Sequence, residues 1–224
     1  MLNELIKFLK KPHYIKNSRI NWGNFFVLFF VFYMIAVPFS IMSKLTQNYL
    51  GYSFTVPKHS GLYLGLMLVI FAPFCEEIIF RLLLKPRRAN FIIFSSVVLA
   101  MSLFYLFGKR YIMMTGFMVA GLAAVIPATS VSVLRKVQYF VIKHMAFFFY
   151  LSVAAFGSVH VFNFEPSDHS LIFAGLILVM PQMVAGLFMG YVRMKHGILY
   201  SMLFHFSMNM LALPYFIHNF GMRG

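Results

Sequence analysis

Seven apolar stretches follow one another along this 224-residue chain, and only short polar segments separate most of them. Each stretch has roughly the 17 to 25 residues that a helix needs to cross the hydrocarbon layer of a bilayer. Backbone in that layer must satisfy its own hydrogen bonds, which a helix does. The stretches lie at residues 22–42, 60–84, 91–108, 111–134, 144–162, 170–192 and 197–217. They predict an all-α polytopic transmembrane bundle of about seven spans, or of eight if one more piece enters the membrane.

The composition argues against a soluble nucleic-acid-binding protein, although the net charge is +14. Hydrophobic residues make up 61% of the chain and charged residues 11%, against about 25% charged in soluble domains. The basic residues occupy short segments between the apolar stretches rather than one continuous surface, as nucleic-acid binding would require. The expected partner is therefore the lipid bilayer, and no nucleic acid.

The distribution of lysine and arginine predicts the orientation of the bundle. The side that holds the N-terminus carries Lys7, Lys10, Lys11, Lys16, Arg19, Lys85, Arg87, Arg88, Arg135, Lys136, Lys143, Arg193 and Lys195. The other side carries Lys44, Lys58, Lys109, Arg110 and Arg223. Because cytoplasmic loops hold the excess of positive charge, the N-terminus is expected in the cytoplasm. A compact, loop-poor chain with a basic head favours a bacterial cytoplasmic membrane, and an endoplasmic-reticulum membrane fits the same physics.

The chain is expected to form one bundle without a soluble domain. Residues 1–21 are a basic cytoplasmic segment, residues 22–217 the transmembrane bundle, and residues 218–224 a short C-terminal tail. Cys75 is the only cysteine, so no disulfide can form within the chain. Prolines inside the apolar stretches remove backbone hydrogen bonds and are expected to kink their helices. These prolines are Pro38, Pro73, Pro127 and Pro181.

An acidic pair, Glu76 and Glu77, lies inside an apolar stretch of a chain that has only five acidic residues. A charged side chain at membrane depth costs at least ~2.5 kcal/mol, so such residues indicate a functional site. Glu77 and Arg81 are four residues apart and share a helix face, which predicts a structural ion pair. Glu76 points about 100° away from that face and is the better candidate for chemistry.

Two further polar groups lie on other predicted helices. His205 and Asn209 are four residues apart, so an imidazole and a carboxamide can face one point in the bundle. His160 ends an apolar helix, one turn after Phe156. In these windows His160 lies about 12 Å deeper than Glu76 and His205 relative to the inner boundary. A kink at Pro73, or a displaced helix, is needed to bring the three groups together.

The segments EEIIFR at 76–81, FGSVH at 156–160 and HFSMN at 205–209 resemble the three motifs of the CPBP family of intramembrane proteases. That family, also called the CAAX protease and bacteriocin-processing family or Abi family, has the motifs EExxxR, FxxxH and HxxxN. The resemblance covers about residues 60–215. The spacing between the first two motifs is longer than usual in the family, which predicts an extra helical hairpin at about 91–134. Leu82 stands where a glycine often follows the motif arginine.

The resemblance implies an intramembrane endopeptidase that acts on membrane-embedded or lipidated peptides. Glu76 and His160 would activate a water, and His205 and Asn209 would stabilise the oxyanion. Glu77 and Arg81 would be structural.

Zinc remains an option, with Glu76, His160 and His205 as ligands. A metal-free mechanism is preferred, because the chain has no HExxH helix.

Other functions also fit parts of the pattern. A proton-coupled transporter could use Glu76, Glu77 and His160 as a relay, but the sequence has no repeat symmetry of the transporter kind. A non-catalytic self-immunity or scaffold protein could retain the motifs through ancestry. A thiol protease based on Cys75 is a remote alternative, since lone buried cysteines are usually inert.

Overall fold

The computed structural model describes residues 1–54, 61–165 and 170–216, and these ranges are almost entirely helical. The helices are α1 (Leu2–Lys10), α2 (Trp22–Leu50), α3 (Gly61–Leu66), α4 (Ala72–Arg81), α5 (Arg88–Phe107), α6 (Tyr111–Thr129), α7 (Val131–Lys143), α8 (Met145–Val159), α9 (Ser170–Leu178), α10 (Met180–Lys195) and α11 (Ile198–Phe216). Two short strands, β1 (Ser53–Phe54) and β2 (Phe164–Glu165), pair antiparallel. The predicted all-α membrane bundle is confirmed.

Four helices within the described ranges are long and apolar enough to cross a membrane. They are α2, α5, α6 and the segment Met145–Asn163, which is α8 with a following 3₁₀ turn. The other three predicted windows hold helices that are shorter or interrupted near prolines. Residues 61–81 contain a π-helical turn, Met67–Phe71, before α4, and the 170–192 window breaks between α9 and α10, where Pro181 occupies the first turn of α10. The C-terminal tail, 218–224, lies outside the described residues.

Two predicted boundaries are wrong. The stretch 111–134 is not one helix, because α6 ends at Thr129 and Ser130 caps the separate helix α7 by accepting a hydrogen bond from the backbone N–H of Val133. The first span does not end at residue 42 but continues to Leu50, where Gly51 adopts a left-handed φ of 74°. Residues 43–50, which include several polar side chains, are therefore helical.

The basic N-terminal segment contains a helix that docks on the bundle. Leu5 and Phe8 of α1 are buried, and the Phe8 ring meets the rings of Phe149 and Tyr191 at centroid distances of 5.1 and 5.4 Å. The apolar face of α1 thus packs on α8 and α10, while its lysines remain exposed.

Helix α10 lies at the centre of the bundle, against α2, α8 and α11. Glycines let α8 and α10 approach closely. A Cβ atom added at Gly190 would lie 2.7 Å from the Phe149 ring, and one at Gly157 would lie 2.6 Å from the Met183 side chain. In lipid, where apolar surface gives no drive to associate, this close packing is what holds helices together.

Helices α5 and α6 form a hairpin that packs mostly on itself. Ser95 of α5 donates a hydrogen bond of 2.9 Å to the backbone oxygen of Gly121 in α6. Large side chains on the outside of the hairpin, such as Phe104 and Ile112, are exposed, as expected for a surface that faces lipid. The hairpin stands beside the helices that carry the polar motifs.

Candidate active site

One cavity of about 460 Å³ inside the bundle is lined by Glu76, His160, His205 and Asn209. These residues come from α4, from the 3₁₀ turn after α8, and from α11, so three separate segments contribute. Helices α2 and α10 complete the wall. The structure therefore brings together the four side chains that the sequence singles out, in spite of the depth difference expected for His160.

Glu77 lies next to Glu76 in the chain but belongs to a closed polar layer beneath the cavity. Its Oε1 accepts a hydrogen bond from Arg81 Nη1 at 2.7 Å and lies 3.1 Å from His205 Nδ1. Its Oε2 accepts a hydrogen bond from Ser201 Oγ at 2.5 Å. The Glu77 and Arg81 side chains have no exposed surface. The carboxylate thus ties α4 to α11 and holds the His205 ring.

Glu76 has the opposite environment. Its side chain is 25% exposed, where that of Glu77 is fully buried. Its Oε2 lies 3.6 Å from His205 Nε2, which is within ion-pair range but longer than a hydrogen bond. Because residues one position apart in a helix point about 100° apart, the two carboxylates reach different surroundings from one backbone. Glu76 is the carboxylate that water in the cavity can reach.

His160 is fixed by an irregularity at the end of α8. Its backbone N–H donates to Gly157 and Ser158 rather than to Phe156, so the Phe156 carbonyl is released from the helical pattern. That carbonyl accepts a hydrogen bond of 2.7 Å from His160 Nδ1. A carbonyl can only accept, so Nδ1 carries the proton and, in the neutral ring, Nε2 is an acceptor.

Asn209 is fixed by a second irregularity, the π-helical turn before α4. The N–H of Ala72 donates to Met67 in that turn, and Pro73 has no N–H, so the Leu68 carbonyl loses its helical partner. Asn209 Nδ2 donates a hydrogen bond of 2.7 Å to that carbonyl. The amide nitrogen carries two hydrogens, so one more can be donated.

Three residues outside the predicted site support it. Ser201 Oγ bonds Glu77, Phe156 stacks under the Arg81 guanidinium at 3.9 Å, and Arg193 donates to the backbone oxygens of Arg81 and Leu82 at 3.1 and 2.8 Å. The prediction that Arg193 is a loop charge is wrong, since this residue is 4% exposed. No sequence signal marked this role, because the bonds depend on how α10 approaches the end of α4.

A second cavity, of about 510 Å³, adjoins the first. Both are lined by Val37, Ser40, Phe54, Gln182 and Ala212, so they form one continuous groove. Among the described residues the buried Oε1 of Gln182 has no hydrogen-bond partner.

The three residues considered as zinc ligands, Glu76, His160 and His205, all line the cavity. Among residues 1–54, 61–165 and 170–216, no three His, Cys, Asp or Glu side chains are grouped so that they could hold a metal ion. His205 Nδ1 faces Glu77, which leaves only Nε2 of that ring.

The chain matches the family model described as type II CAAX prenyl endopeptidase Rce1-like over residues 58–211. The matched range contains all three polar motifs, whereas α1 and α2 precede it. Neither a curated protein nor a solved structure matches the chain. The match covers more than half of the 224 residues and confirms the resemblance drawn from the motifs. This integral membrane protein therefore belongs to the Rce1-like family of CAAX proteases.

Proposed function

We propose that the protein is an intramembrane endopeptidase that hydrolyses a peptide bond of a membrane-embedded or lipidated peptide with a water activated by Glu76 and His160. The family supports a CAAX-type peptidase in general. The observation that carries the finer assignment is the single cavity lined by Glu76, His160, His205 and Asn209.

Water activation needs an acceptor close to the attacking oxygen. Glu76 offers an accessible carboxylate, and His160 offers Nε2, because its Nδ1 is engaged by Phe156. As the water oxygen attacks the peptide carbonyl, its proton passes to Glu76, which then delivers a proton to the leaving nitrogen. Protein atoms surround the His205 ring, which is 4% exposed, and its electrostatic interactions are therefore stronger than in bulk water.

The attack places negative charge on the former carbonyl oxygen, which must be stabilised by donors. Asn209 has one N–H left after bonding Leu68, and it supplies the first donor. His205 supplies the second from Nε2, which requires protons on both ring nitrogens. The carboxylates of Glu76 and Glu77, at 3.6 and 3.1 Å, balance the charge of such a ring. Preorganised donors of this kind are each worth about 10²- to 10³-fold in kcat.

The test is cleavage of an internally quenched prenylated CaaX peptide by the purified protein in detergent. Glu76→Gln keeps the size of the side chain but removes the base, and we expect cleavage to fall by about 10²-fold or more. Glu165→Gln is the matched control, since that carboxylate lies on β2 and does not line the cavity. Full turnover by Glu76→Gln would contradict the assignment of Glu76 as the base. Absence of cleavage by the intact parent protein would favour the non-catalytic alternative.

The metal question is tested in the same assay. We expect cleavage to persist after prolonged treatment with a strong chelator, because the proposed steps use only side chains of the chain. Loss of cleavage that added zinc restores would overturn the metal-free mechanism.

A further inference from the structure

A small polar cavity, here called the interfacial cavity, lies where the start of α2 meets the end of α10. It has a volume of about 70 Å³ and shares no lining residue with the catalytic cavity. Its walls come from Met1, from residues within 18–28 and from the last turns of α10. One water needs at least about 10 to 15 Å³ of such space, so the cavity has room for an ion with several oxygen atoms.

The lining of the interfacial cavity is rich in cationic hydrogen-bond donors. Arg19 lines it, and among the described residues this guanidinium has no hydrogen-bond or ion-pair partner. Lys195 Nζ bonds Glu4 and the Tyr191 hydroxyl at 2.6 and 3.2 Å, which leaves one of its three hydrogens to donate. Glu4 does not line the cavity, and no carboxylate occurs among the described residues that do. The charge of the lining therefore favours an anion.

Two asparagines add neutral donors at the start of α2. The side-chain oxygen of Asn21 accepts a hydrogen bond of 3.0 Å from the backbone N–H of Asn24, so the NH₂ group of Asn21 is left to donate elsewhere. Asn21 caps α2 and Asn24 lies in its first turn, where the helix dipole favours negative charge. Both residues line the interfacial cavity.

Hydrogen bonds of the chain itself hold the two walls together. The backbone N–H of Ser18 donates to the Lys195 carbonyl at 2.9 Å, and His196 Nδ1 lies 3.2 Å from the Ser18 carbonyl. The segment before α2 is thus fixed against the end of α10, 177 positions away in the sequence. A preformed site loses less conformational freedom on binding than one that must be assembled.

The cavity lies at the level where apolar helices begin and end. Helix α2 begins at Trp22, α10 ends at Lys195, and α11 begins at Ile198. Trp22 is 51% exposed, and tryptophan is enriched at the depth of the lipid headgroups. The phosphate groups of membrane lipids are therefore expected at the same depth as the interfacial cavity.

We propose that the interfacial cavity binds a phosphate group, and that the headgroup of an anionic phospholipid supplies it. A guanidinium bonds phosphate oxygens in pairs and an ammonium adds a point charge, so Arg19 and Lys195 bind the group from opposite walls. The bound phosphate fastens the segment before α2 to α10, the helix whose Arg193 holds the end of α4. The inference is independent of the proposed peptidase activity, because the two cavities share no residue.

Binding is tested on the purified full chain in a neutral detergent, by the fluorescence of Trp22 and by the thermal midpoint of unfolding. Trp22 is the only tryptophan, so its signal comes from the start of α2, next to the cavity. Three additives are titrated separately: dioleoyl phosphatidylglycerol, dioleoylglycerol, which has the same acyl chains without phosphate, and inorganic phosphate against sodium chloride of equal ionic strength. A ligand that binds only the folded state raises the midpoint.

Arg19→Gln removes the guanidinium, and Lys16→Gln is its matched control. Lys16 belongs to the same segment, is exposed and carries the same charge, but does not line the cavity. We expect a saturable response to dioleoyl phosphatidylglycerol in the parent and in Lys16→Gln. Binding to Arg19→Gln should be at least about tenfold weaker, because a charge-assisted hydrogen bond is lost.

The additives distinguish the sources of the phosphate. A response to the phospholipid, with or without a response to inorganic phosphate, supports the headgroup. A response to inorganic phosphate alone supports the phosphate site and overturns its assignment to a lipid. The proposal fails if the parent responds to neither, if dioleoylglycerol acts as strongly as the phospholipid, or if Arg19→Gln and Lys16→Gln bind the phospholipid equally well.

Discussion

Two ion pairs of nearly equal length lie in opposite surroundings in this protein. Glu77 and Arg81 meet at 2.7 Å in the middle of the bundle, and both side chains are fully buried. Glu4 and Lys195 meet at 2.6 Å on the surface of the protein, where the glutamate side chain is 63% exposed. Distance alone would rank them as equals. Because of this difference in burial, we expect that breaking the interior pair lowers the free energy of unfolding several times more than breaking the surface pair.

Arg81→Met should have the largest effect, because it leaves the Glu77 carboxylate buried without its cation. Breaking a buried pair in this way costs about 3 to 5 kcal/mol of unfolding free energy. Thermal unfolding in detergent, followed by circular dichroism, measures the loss. Arg87→Met is the control, since Arg87 lies nearby and is exposed. Equal stability of the two variants would remove the distinction between the ion pairs.

The double variant Glu77→Gln/Arg81→Met sharpens the same test. Removing both charges leaves no uncompensated ion, and the carboxamide introduced at position 77 can still hydrogen-bond Ser201 and His205. We expect the double variant to be more stable than Arg81→Met, and to recover about 1 kcal/mol or more of the loss. If the double variant is less stable than Arg81→Met, the unpaired buried charge of Glu77 is not the reason why Arg81→Met loses stability.

Ser201→Ala should have an intermediate effect. It removes the hydroxyl that bonds Glu77 Oε2 at 2.5 Å and leaves that oxygen short of a donor, at a cost of about 1 to 3 kcal/mol. Ser207→Ala, on the same helix, does not touch Glu77 and serves as the reference. A smaller loss for Ser201→Ala than for Ser207→Ala would contradict the role given to Ser201.

Glu4→Gln should have the smallest effect, at most about 1 kcal/mol, and added salt should reduce it further. Lys195 lowers the pKa of Glu4 below its ordinary value, chiefly through the hydrogen bond. The carboxylate therefore contributes stability above its unfolded-state pKa and loses it as pH falls through the lowered value. Unfolding scans of parent and variant across acidic pH, at low and high salt, should show the two curves converging at the acid end.

Helical spacing was enough to predict part of the site. Positions four apart gave the Glu77–Arg81 face and the His205–Asn209 face, because this spacing is a local property of the helix. Interactions between segments could not be predicted in that way. The bonds from Ser201 to Glu77 and from Arg193 to the Arg81 carbonyl depend on how α10 and α11 approach α4.

The fold shows the same division between local and tertiary signals. The apolar stretches located the helices, and Pro73 was expected to disturb its helix. The sequence did not predict that the disturbance would be a π-helical turn, or that the released Leu68 carbonyl would meet Asn209, 141 positions away. The amphipathic helix α1, by contrast, could have been predicted, because Leu2, Leu5, Phe8 and Leu9 share one face at helical spacing.

The two irregular turns have a consequence for anyone who redesigns this scaffold. Regularising the backbone around Pro73 or around His160 would give each released carbonyl back to its own helix. In such a regular bundle, the Asn209 amide and the His160 imidazole would lose these hydrogen bonds and be free to rotate. In this protein the defects in helical order are the parts that a designer should copy without alteration.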